Sequence, residues 1–131
     1  MNIENAKEIL LGFMQEMYEW EKKATKSLRS LDYENTLRLE LSMIFSKYCT
    51  PKKSKRTREI SLSARFPFEY KPETHPIIDV KEENKYLFFY IEENRSGLKT
   101  QYRYRLVYKN EKWWIDKKEW FTQAKWENYA F

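Results

Sequence analysis

The side chains able to do chemistry are few. His75 is the only histidine and Cys49 the only cysteine. His75 stands between Thr74 and Pro76, a turn context in which a solvated imidazole is expected. Cys49 follows an apolar helical stripe near its carboxyl end, where the helix's partial negative charge disfavours a thiolate, so it reads as a small apolar filler. One histidine and one cysteine form no zinc-ligand spacing, and no metal is expected. Two carboxylates sit in apolar strands: Asp79 in Ile77-Ile78-Asp79-Val80, and Asp116 two residues after Trp114. Either would make a general base if it faced Tyr102, Tyr104 or Tyr108 in a dry pocket. Their ordinary role is a hydrogen bond at a turn or strand edge.

Basic and aromatic residues offer a different chemistry. Lys52-Lys53-Ser54-Lys55-Arg56-Thr57-Arg58 is a basic stretch without apolar residues, able in principle to meet phosphates. Tyr102-Arg103-Tyr104-Arg105 looks like an aromatic and basic platform, but alternate residues of a strand face opposite sides. The tyrosines therefore belong to the core and the arginines to solvent, and nucleic acid is not an expected partner. Tryptophan, tyrosine and arginine are the preferred anchors of protein interfaces, and this chain has more of them than one core needs. The expected partner contacts are Arg103, Arg105, Trp113, Trp120 and Trp126.

The elements that must position these residues follow from periodicity. Ile3, Ala6, Leu10, Phe13, Met17, Trp20, Ala24, Leu28 and Leu31 recur at steps of three and four, predicting one long amphipathic helix. Ser30 or Asp32 then caps a second, with Leu37, Leu41, Ile44, Phe45 and Tyr48 on its apolar face, ending at Thr50-Pro51. Strands are predicted within Glu59–Tyr70, at Ile77–Val80 and Tyr86–Glu92, over Thr100–Lys109, and over Trp113–Phe121. Asn84, Asn94-Arg95-Ser96-Gly97 and Asn110-Glu111 supply the turns. Trp126, Tyr129 and Phe131 are too aromatic for a free tail, and the tail of residues 122–131 is expected to dock. Helices over about 3–49 and a sheet over about 59–121 make one α+β domain, an antiparallel meander with its apolar face on the first helix.

Composition narrows the function. The chain has 131 residues, 41% hydrophobic and 34% charged, an ordinary globular balance, with 18% aromatic. Two glycines are too few for a phosphate-cradling loop. A lone cysteine, no secretory leader and no apolar run long enough to span a bilayer point to the cytoplasm and away from membranes. The net charge of +5 favours an acidic partner without identifying one.

Several segments together resemble the immunity proteins of bacterial polymorphic toxin systems that have a nuclear transport factor 2-like fold. They are Met17-Tyr18-Glu19-Trp20-Glu21, Phe66-Pro67-Phe68-Glu69-Tyr70-Lys71-Pro72, Tyr102-Arg103-Tyr104-Arg105-Leu106 and Trp114-Ile115-Asp116-Lys117-Lys118-Glu119. The family's second proline near Pro67 is Phe68 here. The resemblance implies a curved antiparallel sheet wrapped as a cone around the long helix, and a non-catalytic protein without cofactor that blocks a cognate toxin. It also implies that a homodimer through the sheet is open to such a chain. The competing reading is a small-molecule binder or an isomerase- or dehydratase-type enzyme that uses the cone as its pocket, with Asp79 or Asp116 as base. If the toxin is a basic nuclease, a local acidic patch such as Glu82-Glu83 or Glu92-Glu93 would meet it.

Overall fold

The computed structural model describes residues 2–25, 30–51, 69–129 and 131. Helix α1 spans Ile3–Ala24 and α2 spans Leu31–Tyr48. Among the described residues five strands follow: β1 Ile77–Glu83, β2 Tyr86–Arg95, β3 Leu98–Lys109, β4 Lys112–Thr122 and β5 Lys125–Tyr129. They form one antiparallel sheet in the order β1-β2-β3-β4-β5, each strand paired with its neighbour in sequence. The α+β class and its order of helices before sheet are as expected. The tail that follows β4 supplies the fifth strand. The predicted strand within Glu59–Tyr70 and the basic stretch Lys52–Arg58 lie outside the described residues, apart from Glu69 and Tyr70.

Local chemistry sets the helix limits. Asn2 caps α1, its Oδ1 accepting from the Asn5 N–H at 3.1 Å, and Ser30 caps α2 through Tyr33 N–H at 3.1 Å. The first helix is shorter than its apolar stripe suggests. Thr25 ends it, its N–H bonded to the Glu21 carbonyl and its hydroxyl to the Lys22 carbonyl at 2.9 Å. Leu28 lies outside the described residues. Leu31 opens α2 instead of closing α1 and is 71% exposed.

The hairpin turns are two residues long and left-handed. Ser96-Gly97, Asn110-Glu111 and Gln123-Ala124 have positive φ at both positions, and Asn84 at the first of its pair. This geometry matches the right-handed twist of the strands. It costs least at glycine and asparagine; Glu111 and Ala124 hold it against a Cβ clash.

The core lies where α1 meets the concave side of the sheet. Leu87, Phe89 and Ile91 of β2, Tyr104 and Leu106 of β3, and Trp113 and Ile115 of β4 are buried against Leu10, Phe13, Met14 and Met17. Phe13 is the hub, with ring centroids 5.6 Å from Tyr70, 5.7 Å from Phe131, 5.9 Å from Tyr48 and 6.4 Å from both Phe45 and Tyr104. The helices are pinned together by the Trp20 indole N–H on the Leu37 carbonyl at 2.9 Å. They also meet where Tyr48 crosses Gly12, at which a Cβ would stand 3.0 Å from the Tyr48 hydroxyl.

In β4 the register shifts, so that Arg105 faces Lys117 while Leu106 faces Ile115, and Asp116 is the extra residue of a bulge. The bulge changes which residues point inward. Trp113 and Ile115 face the core before it, Lys118 after it. The same place fastens α2 to the sheet: Thr50 N–H donates to the Ile115 carbonyl at 2.9 Å and the Thr50 hydroxyl to Asp116 at 3.1 Å.

Two substitutions check these contacts by urea unfolding. Phe13→Ala should remove about 3–5 kcal/mol of stability, because one ring closes five aromatic contacts. Ala124→Gly should add about 1 kcal/mol by relieving its left-handed backbone.

Candidate functional site

The concave side carries charge at the end away from α2, and that charge is consumed by structure. Glu21 is fully buried on α1 and accepts the backbone N–H groups of Glu69 at 3.0 Å and Tyr70 at 2.9 Å. Lys118, 3% exposed, lies among the rings of Tyr70, Tyr102, Tyr129 and Tyr104 at 4.7–5.4 Å from their centroids. Burial holds the Tyr102 and Tyr104 phenols well above their ordinary range.

His75 is not the solvated imidazole that its turn suggests. It is 4% exposed, with Nε2 3.1 Å from a carboxylate oxygen of the buried Glu93 and Nδ1 3.1 Å from the Lys71 carbonyl. Arg95 holds Glu93 from the other side. Desolvation lowers the His75 pKa and outweighs the pull of Glu93 and the Lys71 carbonyl, with Lys118 and Arg95 adding to the depression. These groups strap the segment from Glu69 to Pro76 across the sheet, and the Tyr129 hydroxyl donates to Glu69 at 3.3 Å. Asp79 lies exposed in β1, bonded to its own neighbour's N–H at 2.8 Å, and Asp116 is bonded to Thr50 and Arg105. Asp79 thus has the edge-strand role ordinary for such a residue, whereas Asp116 is the bulge residue of the interior strand β4.

Like α2 with its exposed Leu39 and Met43, the convex side of the sheet carries exposed charged and apolar side chains. Arg103 and Arg105 project there from β3, opposite the inward Tyr102 and Tyr104, because strand side chains alternate. Neither arginine simply points into solvent. Arg103 donates from Nε to Glu119 at 2.7 Å and lies over Phe88 at 4.8 Å and Trp126 at 4.5 Å. Arg105 donates from Nε to Asp116 at 2.8 Å and lies over Tyr86 at 4.4 Å. Burial opposes ionisation of both partners in the Arg103–Glu119 pair, yet the pairing wins: Glu119 is held below the usual carboxylate range, helped by Lys117, and Arg103 is raised. Around them stand Tyr90 and Phe121, 5.7 and 5.2 Å from the Trp126 ring. Phe121 is 43% and Ile78 52% exposed.

Of the five expected contact residues, Arg103, Arg105 and Trp126 come together on this face. Trp113 is corrected to the core, 4% exposed, because it points inward two residues before Ile115. Trp120 pairs with the inward Tyr102 and packs on Tyr129 at 5.3 Å, on the opposite side of the sheet from Trp126. The Glu92-Glu93 patch is not a patch: adjacent residues diverge, and Glu93 is buried against His75 and Arg95 while Glu92 faces outward beside Lys99 and Gln101. Glu82 and Glu83 are exposed. The five bases of Lys52–Arg58 equal the whole net charge of +5, leaving the rest of the chain balanced at 20 basic against 20 acidic residues. Cys49 is buried and bridges to Ile115, as a filler would.

Sequence reasoning missed the buried roles of Glu21, Glu93 and Lys118. Glu21 sits four residues after Met17 and three before Ala24, so the helical stripe itself marked it as inward. Lys118 gave no such signal, because the bulge that turns it inward is invisible in the pattern. No described helix is long and apolar enough to cross a membrane, and no cluster of three metal-ligating side chains occurs among the described residues.

Residues 5–130 match the family described as NTF2 fold immunity protein. The chain is also 33% identical over 132 residues to Immunity protein RhsIA of Dickeya dadantii (strain 3937), covering 97% of this chain and 96% of that one. No solved structure matches it.

The buried histidine gives a pH signature. A His75 pKa depressed below its ordinary 6.5 means that the unfolded chain takes up the proton first as pH falls. Unfolding free energy should therefore be fully retained above about 6.5 and decline below it. His75→Gln should be less stable at pH 8 yet show a flatter decline between pH 7 and 5.5, read from urea midpoints.

Proposed function

Since the chain belongs to the NTF2 fold immunity protein family and acts as a toxin-neutralising immunity protein, we propose that it works without catalysis, covering its toxin with the convex face of the sheet. The observation that carries this is the row of Arg103, Arg105 and Trp126. Both guanidinium groups are held by carboxylates and ring faces before any partner arrives, so little conformational entropy is lost when they are covered. Exposed Phe121 and Ile78 add apolar area that a monomer gains nothing by showing to water.

The same pairing argues against a nucleic-acid role for this face, since Glu119 and Asp116 already occupy the arginines. The aromatic packing around Phe13 argues against a substrate cavity at the centre of the cone, and no cofactor is invoked. We read the cytoplasm as the place of action, where a lone cysteine stays reduced. Self-association through the convex face would use the same Phe121 and Trp126, so a second copy competes with the toxin rather than accompanying it.

Titration calorimetry against the cognate toxin domain, inactivated by substitution, tests the reading. Nanomolar one-to-one binding is expected, with Arg103→Ala and Trp126→Ala each weakening it roughly 30-fold, the scale of a hot-spot residue. Trp120→Ala, on the other side of the sheet, should bind within a few-fold of the parent. The toxin's intact mass should be unchanged after incubation; a covalent change would make the protein an enzyme.

A further inference from the structure

On the convex face a hollow of about 350 Å³ opens between β1 and β5, lined by Ile78, Asp79, Lys81, Tyr90, Gln101, Phe121 and Trp126. We infer that this hollow receives an arginine side chain of the toxin; the inference rests on the proposed function and specifies the partner's chemistry. Three features of the hollow point to a planar cation.

Its walls are aromatic. Tyr90 meets Trp126 edge-on, with an interplanar angle of 70°, and Phe121 tilts on Trp126 at 52°. Both main rings already accept cations: Arg103 lies over Trp126, and the Lys81 ammonium stands 5.3 Å from the Tyr90 centroid. A guanidinium stacks on such rings while keeping its in-plane donors free.

Its rim supplies the acceptors. Asp79 is exposed at a register shift in β1, oriented by the Val80 N–H on Oδ1, and among the described residues no cation pairs with it. It is the one carboxylate lining the hollow. Gln101 spends its amide N–H on Glu92 at 3.4 Å, which leaves the amide oxygen for a guest donor.

Its present cation is replaceable. Lys81 is exposed and carried on a flexible stem, so an incoming arginine displaces its ammonium into water with little loss. An apolar guest would use the rings but leave Asp79 covered and unpaired, which is unfavourable.

Calorimetry with the same inactivated toxin domain, at two salt concentrations, tests this. Asp79→Asn keeps the Oδ1 acceptor and removes only the charge; it should weaken binding about tenfold and make the affinity less sensitive to salt. Asp79→Lys should weaken it further, whereas Lys81→Ala should bind as tightly as the parent or more so. Parent-like affinity and salt response in both Asp79 variants would overturn the arginine while leaving toxin binding by this face in place. Failure of the parent protein to bind would overturn both. A parent dimer in sedimentation that Asp79→Lys dissociates would assign the hollow to a second copy and likewise overturn the inference.

Discussion

One extra residue in β4 decides how the two sides of this molecule are built. By bulging at Asp116, the strand hands its carboxylate to Arg105 on the convex face and to Thr50 at the end of α2, and it reverses the inward parity beyond it. Without that reversal Lys118 would lie on the convex side and Lys117 or Glu119 would face the tyrosines. The convex face would then lose the Glu119 that clamps Arg103. A local irregularity thus couples the anchoring of the helices, the filling of the concave side and the preparation of the arginines.

The concave side uses buried charge as fastening. Glu21 satisfies two backbone N–H groups that strand pairing does not reach, and Glu93 does comparable work for His75. A buried carboxylate is costly unless it is fully bonded, so such a group defines one geometry for the segment that it holds. On the convex face the charges are paired in the same way, Arg103 with Glu119 and Arg105 with Asp116.

Much of this was legible in the residues. The stripes Ala6, Leu10, Phe13, Met17 and Trp20, and Leu37, Leu41, Ile44, Phe45 and Tyr48, are buried as their spacing requires, and the alternation of Tyr102, Arg103, Tyr104 and Arg105 sorts them to opposite faces. What was hidden is whatever depends on a local departure from periodicity. The stripe of α1 runs on in the sequence past the Thr25 cap that stops the helix. The tryptophans could not be sorted by spacing, because Trp113 and Trp120 lie on either side of a bulge and Trp126 beyond a turn. The number of aromatics predicts a surplus for the surface, yet Trp113 is needed inside, and much of the exposed apolar area is aliphatic, at Leu31, Leu39, Met43, Ile78 and Leu98.

The order of strands also shapes how the molecule assembles. Every described strand of the sheet pairs with its sequence neighbour across a two-residue turn, so these strands come together by closing short loops, and the entropy lost at each closure is small. The ties between helices and sheet are of another kind: Glu21 reaches 49 residues to Tyr70, and Thr50 reaches 66 to Asp116. Contacts that span long stretches of chain form slowly. The meander is therefore expected to form first, with the docking of the helices into it as the slower step.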